Sequence, residues 1–109
     1  MSDDSVNREL EAMRAEYRES LPARLARIES LRLELAGGAA AAARIAELYR
    51  EVHSIAGSGR TFGYPALTDA ARAAEAFLEP YRAGAAPGAA DWARLRPLLE
   101  ALERALPPR

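Results

Sequence analysis

The chain contains no cysteine and no lysine, one histidine, and no apolar run near the ~20 residues that a bilayer crossing needs. Without cysteine there are no disulfides and no thiolate metal sites. One imidazole cannot build a histidine-based metal site by itself, and carboxylates would have to complete it. Without lysine there is no Gly-Lys-Ser/Thr loop for nucleotide phosphates. A basic excess is missing too: 15 arginines face 16 acids for a net charge of −1, and the two signs alternate along the chain. Alternating charge of this kind marks solvated helix faces, not a phosphate-backbone binder. The opening "MSDDSVNREL" is acidic and polar, unlike a signal peptide. These absences predict one cytoplasmic domain over residues 1–109, with no membrane and no nucleic acid among its partners.

No segment alternates with strand period, and Gly and Pro divide the chain into four helical stretches. The first carries Leu10, Met13, Tyr17, Leu21, Leu25, Ile28, Leu31 and Leu35 at steps of three and four, a single apolar stripe. Pro22 removes a backbone donor in its middle, yet the stripe keeps register across it. One long helix kinked near Ser20 to Pro22 is therefore expected, ended by the glycines of "AGG" at 36–38 and overhanging the rest at its N-terminal end. The second stretch, from about Ala39 to Gly59, carries Ile45, Leu48, Val52 and Ile55. Pro65 suits the start of the third, which holds Leu67, Ala71, Ala74, Leu78 and Tyr81 with Phe77 beside them. After "AGAAPGAA", Trp92, Leu95, Leu99, Leu102 and Leu106 share the last face, with Asp91 as a candidate N-cap, an earlier helix start as the open alternative, and Pro107 and Pro108 as the stop. Four amphipathic helices on short loops predict an all-α, antiparallel four-helix bundle with a long, Pro-kinked first helix.

His53 stands where glycines begin to replace side chains, in "LYREVHSIAGSGRTFGYPAL" at 48–67. At ~100° per residue, Leu48, Val52, Ile55, Gly59 and Phe62 form the core stripe, and His53 points roughly 130° away, into solvent. Tyr49, Arg50, Ala56, Gly57 and Arg60, three, four or seven residues from His53, fall on its side. Gly57 keeps the space one turn beyond the imidazole clear, while Gly59 lies on the core side and allows another helix close. Ser58 falls off the core, free for a local hydrogen bond. Tyr49 also fits the boundary of the core. A lone histidine is most often an ordinary surface residue, and Gly-Ser-Gly at a helix end most often a stop signal. The glycine spacing is no dinucleotide fingerprint, since it follows a helix and lacks the third glycine.

The whole stretch "VHSIAGSGRTFGYPALTDAARAAE" resembles the signature of histidine-containing phosphotransfer (Hpt) domains, with His53, Gly57, Ser58, Phe62, Gly63 and Leu67 as the matching positions. Upstream, "YRESLPARLARIESLRLELAGG" is similar to the helix that precedes that signature, proline included. The resemblance implies a four-helix bundle with an exposed phosphoacceptor, His53, which takes a phosphoryl group from a receiver-domain aspartate and passes it to another receiver. Free imidazole, with a pKa near ~6.5, is a competent nucleophile around neutral pH. The resemblance further implies partners in response-regulator receiver domains and a hybrid histidine kinase, and a carrier, not an enzyme. No cofactor is expected on this chain, because the receiver brings Mg²⁺, an acidic pocket and a lysine. Many relatives place lysine three residues after the histidine, where this chain has Ala56; Arg60 or Arg50 could supply the charge instead. Tyr49, Ala56, Gly57, Ser58 and Arg60 would belong to the phosphate or docking surface, with Gly59 and Gly63 structural.

A monomer is expected, a stand-alone relay protein, with an excised domain of a hybrid kinase as the open alternative. A docking module that binds a receiver or kinase without accepting phosphate is the other functional reading, supported by the missing lysine. A bundle that dimerises through its overhanging helix is a third. A hydrolase is disfavoured, because Glu51 lies on a different face from His53 and no serine–oxyanion arrangement accompanies it.

Overall fold

A computed structural model describes residues 2–38 and 41–107. It contains four helices, α1 (Ser2–Ala36), α2 (Ala41–Ser58), α3 (Pro65–Arg82) and α4 (Ala89–Arg104). The expected start of the second helix at Ala39 lies outside the described residues. Each helix packs on two neighbours, α1 and α3 both against α2 and α4, and α2·α3 is the most extensive interface. Cross-helix contacts fix the directions. Tyr17 meets Ser58 and Arg27 meets Glu47 between α1 and α2. His53 meets Glu75, and the Arg60 N–H meets Thr68 Oγ1, between α2 and α3. Tyr81 packs near Trp92 with the rings tilted, and Arg94 lies over Phe77, between α3 and α4. Each step forward on one helix is a step back on the next, so the bundle is antiparallel.

The apolar stripes become the core. Leu21, Leu31, Leu48, Val52, Ile55, Leu67, Ala71, Ala74, Leu78, Leu95 and Leu102 are fully buried, with Leu25, Ile28, Leu35, Ile45, Trp92 and Leu99 nearly so. α1 runs without a break through Pro22, as the continuous stripe predicted. It ends at Ala36, and Gly38 in the turn just beyond has a φ of 88°, in the left-handed region open to glycine. Pro65 takes the first position of α3.

Three sequence expectations are corrected, and for Asp91 the alternative of an earlier helix start holds. Leu10 and Met13 lie in the stripe but are 44% and 49% exposed, as is Val6 at 50%. A helix of 35 residues outruns partners of 16 to 18, so its first three turns have nothing to bury against. Phe62 is not part of the α2 stripe, because α2 ends at Ser58; it belongs to the turn 59–64 and stacks on Tyr17 with ring centroids 4.5 Å apart. Asp91 is the third residue of α4 and not its cap. The helix starts earlier, after an extended Gly88, and Asp91 Oδ2 accepts the Gly88 N–H at 2.7 Å. Leu106 stands past the end of α4, half-buried against the core.

Candidate functional site

The α2–α3 hairpin builds the surroundings of His53. Gly59 is what allows the two helices to meet at its closed end: a Cβ there would sit 2.7 Å from Thr68 Oγ1 and 3.1 Å from Thr68 N. Thr68 is fully buried and uses its hydroxyl to accept the Arg60 N–H at 2.6 Å, which satisfies a donor the end of α2 leaves free. Gly63 has φ of 92°, so the turn back into α3 also needs glycine.

His53 projects from the middle of α2 with 66% of its side chain exposed. Its Nδ1 is hydrogen-bonded to Glu75 Oε2 of α3. A carboxylate can only accept, so the proton stands on Nδ1 and the lone pair on Nε2. Among the described residues nothing bonds Nε2. The Tyr49 ring lies against the imidazole one turn back, at 5.7 Å between centroids and 11° between planes. Tyr49 is itself held: its hydroxyl lies beside the Glu79 carboxylate, and the Arg82 guanidinium lies 4.8 Å from its ring centre. Glu79 and Arg82 form a two-pronged ion pair, Nε to Oε2 at 3.0 Å. These bonds set the ionisation of the group. The neighbouring Glu79 carboxylate, with desolvation and the charge of Glu75, raises the Tyr49 pKa. Arg82, then Tyr49, lowers that of Glu79.

The other sequence candidates separate. Tyr49 is partly buried against the core, as its boundary reading allowed, and also reaches His53. Ala56 is only 5% exposed and part of the core, so it does not lie on the open surface beside His53; it occupies the edge of α2 that α3 covers. Gly57 is exposed, and a Cβ on it would meet nothing within 4 Å. No internal contact therefore requires glycine at 57; a side chain there would project outward only. Ser58 turns to α1, where its hydroxyl donates to the Ser54 carbonyl at 2.7 Å and accepts from Tyr17 at 2.8 Å. Arg60 lies past the end of α2, so the helical spacing that put it on the side of His53 does not reach it, and its guanidinium pairs with Asp69 at 3.2 Å. Arg50 is exposed on α2.

Glu75, Glu79, Arg82 and Thr68 were not singled out from the sequence. Glu75 was the last residue of the stretch that carried the resemblance, and its spacing of 22 from His53 becomes meaningful only once the hairpin register is known.

Among the described residues, His53 lines none of the main clefts. An apolar cleft of 490 Å³, lined among others by Leu35, Ile45, Tyr81 and Trp92, lies at the opposite end of the bundle. Among the described residues no group of three or more His, Asp or Glu could hold a metal ion, and no helix is long and apolar enough to cross a membrane. The family model of the Hpt domain matches residues 12–106. The chain belongs to the Hpt domain family. Neither a curated protein nor a solved structure matches it. Membership gives this Hpt domain a phosphotransfer role in two-component signalling, as a carrier module that interacts with receiver domains and kinases. The match takes in all of α2, α3 and α4, and leaves out the first three turns of α1.

Proposed function

We infer that this Hpt domain carries the phosphoryl group on His53, taking it from the aspartyl phosphate of one receiver domain and giving it to the aspartate of another. The single observation behind this reading is the division of the imidazole: Nδ1 is engaged by Glu75 and Nε2 is open to solvent. In the forward step the Nε2 lone pair attacks phosphorus, the N–P bond forms, and the P–O bond to the aspartate breaks with the carboxylate leaving. The proton already on Nδ1 stays there, and the positive charge that develops on the ring is met by the Glu75 carboxylate. Reversal of the same step loads the next receiver. With the imidazole exposed on the face of α2, the partner supplies Mg²⁺ and most of the charge neutralisation. Gly57 keeps the approach open to a partner loop.

The test is transfer from labelled, phosphorylated receiver domains to wild type and to His53→Gln. Acid-labile, base-stable label on wild type alone supports the reading, with the helical signal and melting of the variant nearly unchanged because His53 is exposed. Detectable receiver binding with no label on wild type would overturn it in favour of a docking module that does not accept phosphate.

A further inference from the structure

A phosphoryl group on His53 would add close to two negative charges beside Glu75 and Glu79, and the residue three past the histidine, Ala56, offers no cation. Five arginines lie on the two helices and the turn that flank this site, and Arg44, near the far end of α2, pairs with Glu34 and Glu47. Arg82 is committed to Glu79 in a two-pronged ion pair, and Arg60 to Asp69. Arg50 and Arg72 remain, both exposed and neither in a hydrogen bond or ion pair among the described residues.

The register of the hairpin chooses between them. Tyr49 meets Glu79, His53 meets Glu75, and Arg60 meets Thr68, each step up α2 matched by a step down α3. Three residues on from His53 is Ala56; three residues back from Glu75 is Arg72. The two are therefore level across the interface. Around α3, at ~100° per residue, Arg72 lies roughly 20° from Glu79 and 60° from Glu75, on the same α2-facing edge. A single turn, about 5 Å along the axis, separates it from the residue that holds the imidazole, within reach of an arginine side chain. Ala56 is small, and a Cβ on Gly57 would meet nothing within 4 Å, so α2 puts no large side chain one turn beyond His53. Arg50 stands on the opposite side of the ring, away from α3, whereas the bond to Glu75 draws the imidazole toward α3.

We propose that Arg72 is the phosphate-binding cation of this site, supplied from α3 across the hairpin in place of a basic residue at position 56. Its planar fork offers two N–H donors to two phosphoryl oxygens, a geometry an ammonium at position 56 would not reproduce. The proposal rests on His53 being the phosphoacceptor.

The experiment loads wild type, Arg72→Ala, Arg72→Lys and Arg50→Ala with phosphoramidate, a small donor that removes any effect of receiver docking. The donor P–N bond breaks and ammonia leaves as the His53 Nε2–P bond forms. Phosphorus NMR reads the loading rate and the lifetime of the phosphohistidine. Arg72→Ala is expected to load about 5-fold more slowly, with Arg72→Lys intermediate and Arg50→Ala at the wild-type rate. The gap should narrow at high salt, since the contact is exposed. On loading, the Arg72 Nε–H resonance of wild type should shift. Thermal melts of all four should coincide, because Arg72 holds nothing together. Equal rates for wild type and Arg72→Ala, or a slow Arg50→Ala beside a normal Arg72→Ala, overturn the proposal while the phosphoacceptor stands. Wild type that takes no phosphate from this donor or from any receiver overturns both.

Discussion

At His53 the two ring nitrogens face different surroundings, and Glu75 is the reason. Glu75→Ala frees the ring to rotate and removes the carboxylate that answers the developing imidazolium. Phosphoryl loading is expected to fall about 10-fold, as for loss of a positioned charge-assisted bond. Unfolding midpoints should move little, since an exposed pair of this kind contributes at most about 1 kcal/mol. A chemical-denaturation curve alongside the loading assay separates the two effects. Ala56 and Glu75 also mark the limits of reading one helix at a time. The 100° wheel correctly turned His53 outward, but it cannot say which edge of the exposed face a neighbouring helix covers. Ala56 was therefore placed on the surface, and Glu75, across the turn, carried no signal that linked it to His53. Tyr49 sat between these cases: its boundary position was legible, its contact with Glu79 and Arg82 was not.

Among the elements, the end of α2 carries a contrast between two glycines only two residues apart. Gly59→Ala would force a Cβ to 3.1 Å of the Thr68 backbone nitrogen and 3.3 Å of the Ile55 carbonyl, neither of which can swing away. The expected cost is about 1–3 kcal/mol, read as a lower denaturant midpoint. Gly57→Ala meets nothing, and in a helix should leave stability unchanged or raise it by up to about 1 kcal/mol. A large residue at 57, such as tryptophan, should keep that stability yet slow transfer from a receiver while leaving loading by phosphoramidate nearly intact. At the start of α4 the Gly88 N–H, helped by the Tyr81 hydroxyl, lowers the pKa of Asp91. A carboxylate depressed in the folded state contributes stability that is present above its unfolded pKa of ~3.9 and is lost as pH falls through the folded value. Glu79 and Glu29, lowered by Arg82 and Arg32, act in the same direction. Melting temperature should therefore drop as pH is taken below about 4, and Asp91→Ala should flatten part of that drop. Asp91 was visible in the sequence as a helix-start residue. Whether it capped the helix or sat in its first turn stayed open, because Gly88, with no side chain, gives a periodicity argument nothing to place the start.

For the whole molecule, the length of α1 gives extents of 56 × 25 × 20 Å, with the first three turns standing clear of the other helices. The apolar stripe was read correctly as one face of one helix. What periodicity cannot report is where the partners stop, so Leu10 and Met13 carried the signature of core residues without a core to enter. Removing residues 2–9 should leave the melting temperature within a few degrees of the full chain, because the side chains described there are exposed. A loss of ten degrees or more would mean that the overhang is held by contacts absent from this fold.

The tie between Thr68 and the end of α2 bears on how the site comes into being. Tyr49, His53, Glu75, Glu79, Arg82 and Thr68 all lie on two consecutive helices joined by the six residues 59–64. Closing so short a loop takes well under a microsecond, and pairings this near in sequence make a low contact order. The groups around the imidazole can therefore assemble during collapse, ahead of the docking of α1 and α4. A hairpin peptide spanning 41–82, given a solubilising cover for its apolar face, is the smallest unit in which the Tyr49–His53–Glu75 arrangement should form.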